Sequence, residues 1–258
     1  MSEIADDQQE TNWALPPTNL ALGRDEIHVW RASLEWPASR LEQLLAVLCE
    51  EERQRAAKFV FERHRGHFIA ARGILRHILA RYLSKPASEF LFEYNSYGKP
   101  SLRADARGGL PLHFNVSHSG ELALYAFSHD VPVGVDVEQV RRDFATEEIA
   151  ERFFSPAEVR AFRSLPSHQK TEAFFNCWSR KEAYIKALGM GVSHPLESFT
   201  VSLAPGSPAQ LLGDETDDAG AARWSLRALP INPGYAAALA VPKHDWLLTC
   251  YDWQPTGR

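Results

Sequence analysis

Alternation and helical periodicity divide the chain into a pattern that occurs twice. Residues 27–34 (Ile-His-Val-Trp-Arg-Ala-Ser-Leu) alternate as a strand does. Residues 39–61, rich in Leu, Ala, Glu and Arg, predict two short helices, and a longer helix follows over about 64–83. Short β-like runs come next at 90–94, 113–116, 122–128 and 133–138, separated by Gly-Lys-Pro, Ser-Gly and Asp-Val-Pro turn signals. The order then returns, with helical segments at 146–153 and 156–164 and a long helix over about 169–188. Strands are expected near 199–203, 223–229, 235–241 and 246–251. Strand, helices, strands, twice over, predicts an α+β protein of two similar halves, although no residue-level repeat is visible. The expected division is a flexible N-terminal segment (1–22), an N-terminal α+β half (23–132) and a C-terminal α+β half (133–258). The Pro/Gly/Asp-rich stretch 205–220 reads as a long, mobile hairpin loop.

Composition changes this picture only by exclusion. With 45% hydrophobic and 24% charged residues, the 258-residue chain can bury a substantial core. Its 28 Lys+Arg against 33 Asp+Glu leave a net charge of -5, which gives no overall field for a polyanion, so a nucleic-acid role would need a local basic patch. Cys49, Cys177 and Cys250 are odd in number and widely spaced, which offers neither a disulfide framework nor a CxxC site and points to a reducing cytoplasm. The N-terminus MSEIADDQQE lacks the apolar run of a signal peptide, and no stretch approaches the roughly 20 apolar residues of a membrane span.

Four constellations could carry chemistry. In Val133-Gly-Val-Asp-Val-Glu138 the period of a strand puts Asp136 and Glu138 on one face and the valines on the other. Paired carboxylates repel, and a hard divalent cation would relieve them; a solvated edge strand is the alternative. In the long helix, Phe174, Cys177, Trp178, Ile185 and Leu188 form an apolar stripe, with Lys181 inside it, Glu182 at its edge and Lys186 just beyond. That triplet suits a phosphate and metal site at a domain seam, or else a snorkelling lysine and an ordinary i, i+4 pair. Asn115-Val-Ser-His-Ser119 is a poor nucleophile and base pair, because adjacent strand residues face opposite ways. Ser117 and His118 fit phosphate binding better, or a plain strand-end turn. Finally Arg65, Arg72 and Arg76 fall within about 40° of one another on the 64–83 helix, a row that an anion would relieve. Arg55 and Lys58 precede it, and Lys99 lies in the turn Tyr97-Gly-Lys-Pro100. Together these describe a site for a substrate bearing several phosphates, some bridged by a metal.

The run Val-Gly-Val-Asp-Val-Glu, then Trp178-Ser-Arg-Lys-Glu-Ala-Tyr-Ile-Lys186 about 40 residues on, preceded by Tyr97-Gly-Lys-Pro100 and Phe114-Asn-Val-Ser-His-Ser119, resembles the Sfp-type 4'-phosphopantetheinyl transferases. The likeness covers about residues 51–199. It implies two pseudo-twofold-related α+β halves with the active site at their interface, coenzyme A as donor substrate and Mg²⁺ (or Mn²⁺) as cofactor. The implied reaction moves the phosphopantetheine arm onto a serine of an apo acyl or peptidyl carrier protein of fatty-acid, polyketide or nonribosomal-peptide synthesis. By resemblance, Asp136, Glu138 and Glu182 would bind the metal and Glu182 would be the base. Lys186 would stabilise charge in the transferred group, with Lys181, Ser117 and His118 on the pyrophosphate and 3'-phosphate. Lys99 would line the adenine end, and Arg55, Lys58 and Arg72 are the basic residues offered for the 3'-phosphate. Residues 140–154, with Arg141, Arg142, Arg152, Phe153 and Phe154, match the family's carrier-facing stretch by location. A monomer is expected, since two fused halves supply the interface within one chain. The alternatives are a non-catalytic carrier-protein or coenzyme A-binding module, against which the intact Asp136, Glu138, Glu182 and Lys186 argue, and a two-carboxylate metal hydrolase.

Overall fold

The computed structural model describes residues 12–103, 111–217 and 220–255. The chain runs through β1 (Trp13–Ala14), β2 (Glu26–Ser33), α1 (Ala38–Ala46), α2 (Glu50–Ala57) and the 22-residue α3 (Glu62–Leu83). A ribbon of β3 (Phe92–Tyr94) and β4 (Pro100–Leu102) leads to β5 (Leu112–Ser119) and β6 (Leu122–His129). The same order then returns as β7 (Gly134–Gln139), α4 (Glu147–Phe153), α5 (Pro156–Ser164) and a second 22-residue helix, α6 (Ser167–Leu188). A ribbon of β8 (Phe199–Val201) and β9 (Leu211–Asp214) precedes β10 (Ser225–Ala228), β11 (Tyr235–Val241) and β12 (Leu247–Asp252).

Pairing repeats as well as order. β2 is antiparallel to β6 and β6 to β5, just as β7 is antiparallel to β11 and β11 to β10. The first set is extended by β12, which lies parallel to β2, and by β1, parallel to β12. The last strand of the chain thus sits in the sheet of the N-terminal segments, and Tyr251 and Trp253 join that half's core. Two expectations are corrected here. The 12–22 part of the supposed flexible lead-in contains β1 and packs Leu20 and Leu22 against the core, while 1–11 lie outside the described residues. The 205–220 stretch, expected to be a mobile loop, contributes β9, although 218–219 lie outside the described residues.

The two sheets meet face to face. Ile27 and Val29 of β2 and Leu122, Leu124 and Ala126 of β6 pack against Val135 and Val137 of β7 and Leu239 and Val241 of β11. Full burial of each Val, Leu or Ile stabilises the fold by about 1.5–3 kcal/mol. The outer face of the first sheet, with Trp30 and Tyr125, is covered by α3. The outer face of the second lies under α6. Because the valines of β7 point to the central layer, Asp136 and Glu138 must point toward α6.

Gly134 sets how close α6 comes. A Cβ there would lie 2.0 Å from the Ala183 carbonyl oxygen and 2.3 Å from the Ala187 nitrogen, so only glycine lets the helix backbone rest on the strand. That approach brings Glu182 and Lys186 beside the carboxylates of β7. On its other edge, β7 meets β5 without a backbone ladder. Asn115 Oδ1, Ser117 Oγ and Ser119 Oγ accept from the backbone N–H groups of Val135, Val137 and Gln139 at 2.9, 3.3 and 3.0 Å. Side chains stand in for carbonyls, and the two sheets are stitched together at this seam.

Candidate active site

The seam places hydroxyls against carboxylates. Ser117 Oγ donates to Asp136 Oδ1 at 2.9 Å and Ser119 Oγ donates to Glu138 Oε2 at 2.9 Å. From α6, Lys186 Nζ donates to Asp136 Oδ1 at 2.5 Å and to Ser117 Oγ at 2.8 Å. Asp136 is buried, and its second oxygen, Oδ2, has no hydrogen-bond partner in the protein. Burial and then the charge of Asp136 push the carboxyls of Glu138 and Glu182 above their usual range. Lys186 works in the opposite direction on both. The centre therefore carries more negative charge than its own lysine relieves.

Beside it opens a cavity of about 540 Å³, lined by Tyr97, Gly98, Lys99, Glu182, Lys186 and His194 among others. Its size is that of a small-molecule site. The Tyr97–Pro100 turn is pinned by Asn95, whose Oδ1 accepts from the N–H groups of Tyr97 and Lys99 and whose Nδ2 donates to the Gly189 carbonyl at the end of α6. Lys99 Nζ donates to the carbonyl of Lys186 at 2.5 Å, near the negative end of the helix dipole. Burial lowers its pKa to about 8. His194, also part of the lining, is buried with Nε2 3.2 Å from Asp214 Oδ2, and Tyr184 of α6 donates to the same oxygen at 2.8 Å. The His194 contact is an ion-pair distance without hydrogen-bond alignment.

A second cavity of about 590 Å³ lies on the far face of β5 and is lined by Arg55, Phe59, His67, His118, Ser119 and Gln139 among others. His118 faces this side, opposite to Ser117, as strand alternation requires. Its edge is open to solvent while protein surrounds the rest. Burial, then the charges of Lys186 and His67, hold its pKa below the usual histidine value.

A family model described as "4'-phosphopantetheinyl transferase superfamily" matches residues 132–240, and one described as "4'-phosphopantetheinyl transferase, N-terminal" matches 30–130. The chain is 42% identical to the 4'-phosphopantetheinyl transferase HetI of Nostoc sp., over 91% of this chain and 95% of that protein. It belongs to the 4'-phosphopantetheinyl transferase superfamily. Other relatives are the transferase psf-1 of Bacillus pumilus, 35% identical over 82% of this chain and 88% of the relative. The transferase Sfp of Bacillus subtilis is 29% identical, over 80% and 87%.

As a member of this superfamily, the chain brings Asp136, Glu138, Glu182, Lys186 and Lys99 together, and two expected phosphate ligands elsewhere. Lys181 lies five residues before Lys186, about 140° away around the helix. It is buried, 2.7 Å from Glu158 Oε2 and donating to the Phe199 carbonyl at 2.5 Å, where it joins α5 and β8 to α6. The expectation that it holds pyrophosphate is corrected. Arg72 Nε donates to Glu52 Oε1 and Arg76 Nε to Glu52 Oε2, both at 2.7 Å, while Phe92 covers both guanidinium groups. The anion that relieves the arginine row is thus Glu52 of α2, and Arg72 is not free for a 3'-phosphate. Arg65 pairs with Glu62 instead. Ser117 spends its hydroxyl proton on Asp136 rather than on a phosphate. Arg55 and Lys58 are exposed; Arg55 lines the second cavity and Lys58 faces solvent at the end of α2. Residues 140–154 present exposed Arg141, Arg142 and Arg152, whereas Phe154 is buried. Sequence reasoning missed Asn115 and Ser119 at the seam, though their spacing from Ser117 is that of one strand face. It also missed the His194–Asp214–Tyr184 group, whose members carry no local signal.

Among the described residues no helix is long and apolar enough to cross a membrane.

Proposed function

We propose that the chain, a 4'-phosphopantetheinyl transferase, carries out the reaction at the seam between its two repeated sets of elements, and that these sets are related by a pseudo-twofold axis. The observation that carries this reading is the convergence of Asp136, Glu138, Glu182 and Lys186 beside the 540 Å³ cavity. Coenzyme A would start there, with its adenine end against Tyr97, Gly98 and Lys99 and its pyrophosphate toward Lys186, and its 3'-phosphate would reach across β5 to Arg55 and His118 at the second cavity. The acceptor is a serine of an apo carrier protein, docked along the exposed part of residues 140–154.

The residues fit a hard divalent cation such as Mg²⁺. Asp136 Oδ2 is a buried oxygen with nothing to accept from, and the carboxyls of Glu138 and Glu182 are pushed up by burial and then by the charge of Asp136. No three His, Cys, Asp or Glu side chains among the described residues form a ready-made metal cluster. Such a cation would be held by carboxylates and completed by substrate phosphates and water. When bound, Mg²⁺ would polarise the pyrophosphate and offset its charge. Asp136 and Glu138 would hold it, with Glu182 beside them.

Glu182, whose raised pKa makes it a stronger base than a free carboxylate, would take the proton from the serine hydroxyl, directly or through one water. The serine oxygen would then attack the β-phosphorus that bears the pantetheine arm, and the bond to the bridging oxygen would break to release adenosine 3',5'-bisphosphate. Lys186 is placed to neutralise charge on the oxygens of the transferring group. Ser117 and Ser119 orient the carboxylates and never leave the protein. Lys186 already balances Asp136, so substrate phosphates would compete for a cation that is in place.

Purified protein incubated with coenzyme A, Mg²⁺ and apo carrier proteins should add one phosphopantetheine to the carrier, read by intact mass. Glu182→Gln should lower kcat about 10²–10⁴-fold with the fold intact. Turnover near the wild-type rate in that variant would remove Glu182 from the base role.

A further inference from the structure

The junction of α2 and α3 exposes side chains that a core normally claims. In Lys58-Phe59-Val60-Phe61, Val60 is 90% and Phe61 67% exposed. Phe59 leans on Phe68, with ring centroids 5.4 Å apart, and Phe61 stands edge-on to His64 at 5.6 Å. The ridge is propped outward by its neighbours. Consecutive large apolar residues left in water at a helix junction mark an interaction site more often than an accident.

Position and charge narrow the partner. Phe59 lines the 590 Å³ cavity, and the same cavity is lined by Gln139, the residue before Val140. Its wall includes Ser119, whose hydroxyl donates to Glu138 of the catalytic centre. Phe59 of the ridge and Gln139, which leads into the 140–154 stretch, thus line one cavity whose wall reaches the seam at Ser119. Exposed Lys58, beside the ridge, and exposed Arg141 and Arg142, just after Gln139, form no ion pair with another described residue. An apolar ridge with cations free of ion pairs nearby in the chain is complementary to an acidic helical surface with an apolar spot.

We propose that Val60 and Phe61 form a docking contact for the acidic carrier protein, on the N-terminal half, so that the carrier is gripped at the ridge and along residues 140–154 while its serine reaches the seam. The proposal rests on the transferase reading above. It assigns to the N-terminal half a share in acceptor selection.

The test uses the full chain with Val60→Asp, Phe61→Asp and the double variant, against a purified apo acyl carrier protein and an apo peptidyl carrier protein. Both residues are exposed, so thermal melts should match wild type. Three quantities are read: the KM for carrier at saturating coenzyme A, the Kd for carrier by calorimetry, and the Kd for coenzyme A without carrier. The expected result is a carrier KM and Kd raised about tenfold or more in the double variant, with kcat and coenzyme A affinity unchanged; Val60→Leu should retain wild-type values. A carrier KM and Kd within about twofold of wild type would overturn the proposal. So would a wild-type dimer, seen by light scattering, that the double variant dissolves while carrier binding stays the same, because the ridge would then serve a second copy. If wild type binds carriers yet transfers nothing, the transferase reading fails while the carrier Kd still scores the ridge. If wild type binds neither carrier, both fall.

Discussion

A lysine ammonium ringed by backbone carbonyls gives up its proton more readily than one in water, because burial removes more solvation than the carbonyl dipoles return. Lys99 is such a group, with its pKa lowered to about 8 and its Nζ on the Lys186 carbonyl. Below pH 8 its charge is present at the cavity wall, and above it the charge is lost. Affinity for the phosphates of coenzyme A should therefore fall as pH rises through about 8. Stability should move the other way: between pH 8 and 10.5 the unfolded chain binds more protons than the folded one, so burial of Lys99 becomes less costly as pH rises. Calorimetric titration of coenzyme A from about pH 7 to 9 should show the fall in wild type and a flatter profile in Lys99→Arg, whose guanidinium stays charged throughout. An identical step in both proteins would assign it to another group. At this scale the sequence was legible wherever the partner is local. Period two put Asp136 and Glu138 on one face, since nothing but strand geometry was needed. Lys181 and Arg72 misled because Glu158 and Glu52 are 23 and 20 residues away in the chain. A lysine or arginine looks alike in sequence whether a phosphate or a buried carboxylate awaits it.

Among elements, the helices were the most legible, since α3 and α6 carry apolar stripes and α5 opens on a Ser155–Glu158 capping box after which Pro156 takes the first helical position. The ribbons were the least legible. β3, β4, β8 and β9 are three or four residues long and exist because each has a partner, so periodicity over so short a span says little. β9 nevertheless shapes the site, because its Asp214 gathers the Tyr184 hydroxyl of α6, the Thr216 hydroxyl and N–H, and the His194 imidazole. Burial alone would raise the Asp214 carboxyl, but the hydrogen bonds from Thr216 and Tyr184, with the charge of His194, outweigh it and hold it below its usual value. The network ties the cavity wall at His194 to the helix that bears Glu182 and Lys186. Asp214→Asn removes the charge and leaves a buried imidazole and hydroxyl poorly matched, at a cost of about 1–3 kcal/mol. The expected outcome is a Tm lower by several degrees, a KM for coenzyme A raised severalfold, and a KM for carrier unchanged. Equal changes in both KM values would mean that the network acts on the whole site, and a Tm loss with both KM values intact would make it purely structural.

For the molecule as a whole, the repeated order of elements was readable from the chain, whereas the way the two sets interlock was not. β12 lies more than 200 residues from β2 in sequence yet completes its edge, pairing Leu247 with Glu26 through Asp252 with Arg31. No local pattern announces that, because a parallel edge strand looks the same wherever it docks. The corresponding edge of β7 is met by Asn115, Ser117 and Ser119 of β5 and becomes the seam. One set of elements thus has its open edge closed by a strand, and the other has it met by side chains, which leaves room for the carboxylates and Lys186. The proposed active site accordingly lies at a single seam among the described residues. Cutting the chain tests this interlock. A fragment of residues 1–132 lacks β12 and with it Tyr251 and Trp253 of its core, and it loses the β7 and β11 side chains of the central layer. It should be unfolded or aggregated when expressed alone. Co-expression with residues 133–258 should restore a soluble complex with transferase activity, since the β12–β2 pairing and the central layer re-form between chains. The measurements are far-UV circular dichroism of the lone fragment and phosphopantetheine transfer by the co-purified pair. A well-folded, cooperatively melting 1–132 fragment would mean that the N-terminal set is stable without β12 and that the strand is an accessory rather than a closure.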